Sequence, residues 1–356
     1  MDGARVAGYR VVVLLSALAF VVAACGGGAT PGPPSPGASA PPATTARASD
    51  APASAAPSPT PSTSPSPSPS PLAQGVVAVV PTEQQPCASV EGGGFMWVTN
   101  YGSALVQKID PATNTVVDEF EVDGQPCGIV LVGGSLWVGS VGGDLLDQVD
   151  PDSGEVLETI SMGGQVYDVQ AGFGSVWVVN REGGEVLRID PATAKVVATI
   201  PAGRILYGLA VNDDGVWATA QLDNTVIRID PATNKRVDVI NDPIDQLFTF
   251  ASTPGAVWIS HANGVVSRLD TKTAKFTARV KTGPAQFPGD PDTAAGSVWY
   301  PDPTTGDLYR IDPDTAKVTA TVPLGTGFSV AQIGFGDVWV GNFASSGIAR
   351  VDPEAV

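Results

Sequence analysis

The sequence predicts an all-β fold, a seven-bladed β-propeller of four-stranded blades of about 40 residues, over residues 76–356. Three observations predict it. All seven tryptophans, Trp97, Trp137, Trp177, Trp217, Trp258, Trp299 and Trp339, recur at spacings of 40, 40, 40, 41, 41 and 40 residues. One Trp per fixed period of this length marks a repeat architecture. An aspartate follows each Trp by 13 residues, or by 12 in the fifth unit: Asp110, Asp150, Asp190, Asp230, Asp270, Asp312 and Asp352. Each period also divides into four short segments rich in β-branched residues, which suit strands and not helices.

The chain begins differently. Arg5 and Arg10 precede an apolar run, Val11–Ala24, too short to span a bilayer comfortably. The run ends in Val22-Ala23-Ala24-Cys25 and three glycines. This resembles a bacterial lipobox, in which small residues precede a cysteine that becomes the lipidated N-terminus. The resemblance implies a signal peptide over residues 1–24 and a lipidated Cys25. The expected location is extracytoplasmic, with the protein anchored to the outer face of a bacterial cell membrane. Residues 25–75 then form a tether. Of positions 26–75, 40 are Pro, Ser, Thr or Ala, so no packed core can offset the entropy of ordering them. The Ser-Pro alternation over 64–71 favours polyproline II, which at about 3.1 Å per residue reaches at most roughly 150 Å.

In the fourth unit the expected strands are Tyr207–Val211, Gly215–Ala220, Thr225–Asp230 and Arg236–Ile240. The Asp-Pro-x-Thr after the third strand signals a tight turn. Proline presets φ, and the Asp carboxylate accepts from the N–H groups beyond it. Val351-Asp352-Pro353, three residues before the end of the sequence, stands only three strands into the last unit. Val76–Val80 matches a fourth strand inside the array, so the sequence predicts that it pairs with the last blade and closes the ring. Trp97-Val98-Thr99-Asn100 and Ile109-Asp110-Pro111-Ala112-Thr113-Asn114 resemble the YVTN-type β-propeller repeat, and the resemblance covers all of 76–356. Proteins with such repeats are often extracytoplasmic, which suits the lipobox. The fold alone does not name an activity.

The chain carries 19 basic and 36 acidic residues, a formal net charge of −17. Such a surface repels phosphate backbones, which argues against a nucleic-acid partner. It is compatible with a divalent cation, although no cofactor is required, and a monomer is expected.

Candidate site residues come from positions that return in every unit. Three residues after each Trp stand Asn100, Ser140, Asn180, Ala220, His261, Asp302 and Asn342. They form either turn caps or a ring of weak ligands facing the channel. His261, the only histidine, and Asp302 one blade on are the best pair for a proton relay or part of a metal shell. Twelve residues before the Trp stand Gln85, Gln125, Gln165 and Gln246, with Gln286 one place off and Arg204 in the fourth unit. Two positions further come Cys87, Cys127, Tyr167, Tyr207 and Phe248. Amides and aromatics together suit a sugar, peptide or planar ligand, or else the rings merely plug the channel. The tryptophans belong to the core between blades. Cys87 and Cys127 occupy equivalent points of neighbouring units and are candidates for a disulfide outside the cytoplasm.

No CxxC, HExxH, Walker loop or GxSxG occurs. The leading expectation is therefore a tethered propeller that binds a small ligand or a cell-envelope protein at its channel face, without catalysis. Asn100, Asn180, Asp302 and Asn342 also resemble the oxygen donors of lactonase-like metal hydrolases. A more specific resemblance is to propellers of the virginiamycin B lyase type, which open cyclic depsipeptides with magnesium and use histidine. Here His261 would have to serve alone. A third alternative is a structural protein of envelope assembly.

Overall fold

The computed structural model describes residues 71–244, 246–283 and 288–356. The expected signal peptide, Cys25, nearly all of the tether, and Gln286 lie outside the described residues. Among these residues, strands form seven four-stranded antiparallel sheets. The innermost strands are Pro86–Gly92, Pro126–Val132, Val166–Gly172, Leu206–Asn212, Leu247–Thr253, Asp292–Ala294 and Phe328–Gly334, in blades 1 to 7. Each packs against the inner strand of the next blade, and that of blade 7 packs against that of blade 1. The protein is a seven-bladed β-propeller.

Burial follows position in the blade. The second strand of blade 3, Ser175–Asn180, is buried at every residue because neighbouring sheets cover both its faces. The outermost strand, Lys195–Pro201, is largely exposed. Every Trp is buried, with at most 2% of its surface exposed. Its indole N–H must then find an acceptor. It does so at the end of its own blade's first strand: the carbonyls of Gly92, Gly172 and Gly334 accept at 3.0–3.1 Å, and Asn212 Oδ1 and Thr253 Oγ1 at 3.1 Å.

The Asp-Pro-x-Thr turns form as expected. Asp190 Oδ1 accepts from the Ala192 N–H at 3.0 Å, and Thr193 Oγ1 donates to Asp190 Oδ2 at 2.8 Å. The turns also serve the preceding blade, a role the sequence did not suggest. The Arg188 guanidinium lies 5.0 Å over the Trp177 ring and donates to Pro231 O and Asn234 Oδ1 of blade 4. Arg350 of blade 7 stacks on Trp339 and donates to Pro111 O and Asn114 Oδ1 of blade 1.

The N-terminal strand runs from Val76 to Gln84, longer than the expected Val76–Val80. It pairs antiparallel with Ser346–Val351, with Val76 opposite Val351 and Val80 opposite Ile348. It is thus the outermost strand of the sheet whose other members come from the C-terminus. Blade 6 is the irregular one. Its inner strand shrinks to Asp292–Ala294 because Pro288 and Pro291 carry no N–H for the ladder. Asp290 instead exchanges backbone hydrogen bonds with blade 7, its N–H to Ser329 O at 2.7 Å and its carbonyl from Ala331 N–H at 3.0 Å. Cys87 and Cys127 form a disulfide between the inner strands of blades 1 and 2, their Cα atoms 5.0 Å apart.

Candidate functional site

The loop leading into each blade and the loop after its second strand lie side by side on one face. In blades 1 to 5 the carbonyls of Gln85, Gln125, Gln165, Ile205 and Gln246 accept from the N–H groups of Tyr101, Val141, Arg181, Gln221 and Ala262, at 2.9–3.1 Å. Both sets of candidate positions therefore reach the same mouth of the channel. What their side chains do there differs.

The residues three after the Trp are all buried, and three of them, Asn180, Asp302 and Asn342, cap their own turns. Asn180 Oδ1 accepts from Gly183 N–H at 3.0 Å while its Nδ2 donates to Met162 O at 2.9 Å. Asn342 Oδ1 accepts from Ala344 N–H, and Ser140 Oγ accepts from Gln125 N–H. Asn100 Nδ2 donates to Val98 O and Gln107 Oε1. Ala220 is buried and apolar. Asp302 Oδ1 accepts from Thr304 and Thr305 N–H at 2.9 and 3.2 Å. The side chains turn into their own blades and form no ring of ligands.

No hydrogen bond or ion pair links His261 to Asp302 among the described residues. His261 is fully buried, and its Nε2 lies 3.6 Å from a carboxylate oxygen of Asp242, at the loop leading into blade 5. For the divalent cation considered from the sequence, these side chains offer no converged set of donors among the described residues. Asn180 Oδ1, Asn342 Oδ1 and Asp302 Oδ1 accept from backbone N–H groups, Asn100 Oδ1 and Asp302 Oδ2 meet no donor among the described residues of their own blades, and the imidazole lies against Asp242. Among the described residues no group of three or more His, Cys, Asp or Glu side chains is placed to hold a metal ion.

The second set behaves differently. Tyr167, Tyr207 and Phe248, from blades 3, 4 and 5, converge. Ring centroids are 4.9 Å apart for Tyr167–Tyr207, 4.5 Å for Tyr207–Phe248 and 6.1 Å for Tyr167–Phe248. Both tyrosines are half-buried, whereas Phe248 is covered. Gln165 joins them through Arg181, a residue the sequence reasoning missed. Arg181 Nη1 donates to Gln165 Oε1 at 2.8 Å and Nη2 to the Tyr207 hydroxyl at 2.7 Å. The guanidinium lies 4.7 Å from the Tyr207 ring centroid and 5.7 Å from that of Tyr167. A signal existed: one position beyond the polar column stand Tyr101, Val141, Arg181, Gln221, Ala262, Pro303 and Phe343, and only one is a cation.

The other candidates lie outside this cluster. Arg204 is exposed and paired with Asp223 at 2.5 Å. Gln246 is exposed, and both it and Gln85 hold left-handed backbone at φ 68° and 57°. The contacts of Gln85 and Gln125 run through their main chains, while Cys87 and Cys127 are joined to each other.

Two carboxyls line the inner strands beside the aromatic cluster. Burial pushes Asp168 up to about 6, against hydrogen bonds from Leu209 N–H, Gln170 and Val169 N–H that favour its charged form. Burial pushes Asp290 up to about 7, opposed by the Thr249 hydroxyl and reinforced by the charge of Asp168. Burial likewise raises Tyr167 well above the usual phenol, with the charge of Asp290 adding to it. Asp168 Oδ2 accepts from Leu209 N–H of the next blade at 2.7 Å, and Asp290 Oδ1 accepts from Thr249 Oγ1 of the preceding one at 2.8 Å. Asp168 thus joins blade 3 to blade 4 and Asp290 joins blade 6 to blade 5, each keeping part of its surface open.

No protein-family model matches the chain, and no curated protein matches it. Among solved structures, selenomethionine-substituted virginiamycin B lyase from Staphylococcus aureus is similar, with a TM-score of 0.65 and 14% sequence identity over 75% of this chain and 94% of that one. At that identity the likeness shows the shared propeller fold and nothing finer.

Proposed function

We propose that this protein is a lipid-anchored, extracytoplasmic propeller that binds a small ligand or a protein partner at the channel mouth of blades 3 to 5, without catalysis. The observation that carries the reading is the convergence of Tyr167, Tyr207 and Phe248 with Arg181 and Gln165 at that mouth. Aromatic surface beside a few fixed polar groups is what a ligand site needs. Thermal unfolding of the full chain with N-acetyltryptophan amide, chitobiose, Mg²⁺, Ca²⁺, Mn²⁺ and Zn²⁺ tests it. A ligand of the folded state at a hundredfold excess over its Kd adds about 2.7 kcal/mol, or roughly 5 °C for a chain of this size. The expected result is a rise with an organic probe that Tyr207→Ala removes.

A second reading draws on the fold likeness to virginiamycin B lyase: a metal-dependent lyase or lactonase-like hydrolase. A rise with one metal alone, unaffected by Tyr207→Ala, would favour it over the binding reading. The envelope location rests on Cys25 after its small-residue stretch, and the disulfide on inner strands accords with an oxidising compartment. Cys25→Ala is expected to move the protein from the membrane fraction to the soluble fraction; retention on the membrane would refute lipid anchoring at Cys25.

A further inference from the structure

Arg181 stands at the channel mouth outside the ion pairs of the described residues. The ion pairs among the described residues are Arg204–Asp223, Arg228–Asp238, His261–Asp242 and Arg350–Asp337. Arg268, on the outer part of blade 5, donates to Thr277 Oγ1, and Arg188 and Arg310 have no side-chain carboxylate but donate to backbone oxygens of the neighbouring blade. Arg181 has neither. Its side-chain hydrogen bonds go to one amide oxygen and one phenol, and its buried Nε–H meets no acceptor. A guanidinium carries five N–H donors, so most of its capacity and all of its charge are left for something else. In a chain where 36 acidic residues face 19 basic ones, Arg181 stands half-buried at the channel mouth with no carboxylate paired to it.

It is also held in place. The main-chain N–H of Arg181 donates to Gln165 O at 2.9 Å, and the guanidinium plane is fixed by Gln165, Tyr207 and the two tyrosine rings. A fork ordered in advance loses little entropy when a carboxylate docks on it. Beside it stands the wall of Tyr167, Tyr207 and Phe248.

We infer that the channel mouth takes a planar aromatic ligand bearing a carboxylate, with the anion on Arg181 and the ring against Tyr167 and Tyr207. This rests on the binding function proposed for that mouth and names its ligand class. The inference runs against the field of the whole protein, which attracts cations and repels anions. That opposition makes the test sharp.

The probes are naphthalene-2-carboxylate, 2-naphthamide and 2-naphthylmethylammonium, which share a ring system and differ in charge. Their binding to the full chain is measured by ligand-observed NMR. Without a subsite at Arg181 the protein's net charge ranks ammonium first and carboxylate last. The inference expects the carboxylate first, about tenfold tighter than the amide, as one charge-assisted pair provides. Arg181→Gln should cost the carboxylate that factor and leave the amide unchanged, while Arg181→Lys, which keeps the charge and loses the fork, should fall between. If Arg181→Gln does not fold, the ranking on the unaltered chain together with Arg181→Lys decides the matter. All three probes binding in the order set by net charge, with Tyr207→Ala weakening each, would overturn the anion assignment and keep the binding mouth. Carboxylate binding that persists in Arg181→Gln would overturn the role of Arg181. Binding of none of the three would overturn both.

Discussion

Removing Val76–Val80 is expected to lower the melting temperature by about 10 °C, measured by circular dichroism on the full chain and on the deletion. The segment supplies the outer strand of blade 7, pairing Val76 with Val351, Ala78 with Arg350, Val79 with Ala349 and Val80 with Ile348. Val80 is 1% exposed and packs in one cluster with Met96, Val98, Ile109, Trp339 and Ile348, so it joins residues of blades 1 and 7. Burying one such valine contributes about 1.5–3 kcal/mol, and each lost ladder bond about 1 kcal/mol. A loss near 5 kcal/mol at roughly 2 °C per kcal/mol gives the expected shift. The deletion also bares Ser346–Val351 as a free edge, which invites pairing with a second chain. An unchanged melt would mean that the N-terminal strand does not secure the seam between the last blade and the first.

Stability should also depend on pH in the direction opposite to that of most acidic proteins. Asp290 is raised from 3.8 to about 7, and Asp168 and Asp292 to about 6, in each case chiefly by burial. A carboxyl whose folded value lies above its unfolded one favours folding fully below about pH 4 and loses that contribution as the pH climbs through the folded value. The fall from these three groups therefore runs from about pH 4 to about pH 7. The turn carboxylates Asp230, Asp270 and Asp312 act oppositely. Hydrogen bonds from their threonines lower them, so their contribution exists above the ordinary carboxylate value and is lost as the pH falls. The melt should therefore peak near about pH 5.

Asp290→Asn keeps an oxygen for the Thr249 hydroxyl, which donates at 2.8 Å, and removes the titrating charge. About three pK units correspond to some 4 kcal/mol for a group wholly removed from water; Asp290 keeps part of its surface open, so on the order of 2 kcal/mol is expected at pH 8. The variant should melt higher than the unaltered chain at pH 8, similarly at pH 4, and with a shallower slope between. An identical slope would show that Asp290 is not the titrating group.

The architecture was legible because it is written in local, repeated chemistry. Each Trp fills the same buried place and sends its N–H to its own blade's first strand. The expected strands of unit four agree with Leu206–Asn212, Gly215–Ala220, Thr225–Asp230 and Lys235–Asn241 to within a residue at each end. The Asp-Pro-x-Thr turns close on their own carboxylates because every partner lies within three residues. Turn capping by Asn180, Asp302 and Asn342 was legible for the same reason, as one of the two roles weighed for them.

Which residues meet across the mouth was decided by the tertiary structure alone. Arg181 reaches Tyr207 over 26 residues, Asp168 reaches Leu209 over 41, and Thr249 reaches Asp290 over 41. The placing of His261 against Asp242, 19 residues away, is of the same kind. A strand's alternation tells which side chains leave the sheet, and a turn motif tells where the chain reverses. Neither contains the rotation of one sheet against the next, and that rotation sets which side chains share the channel mouth.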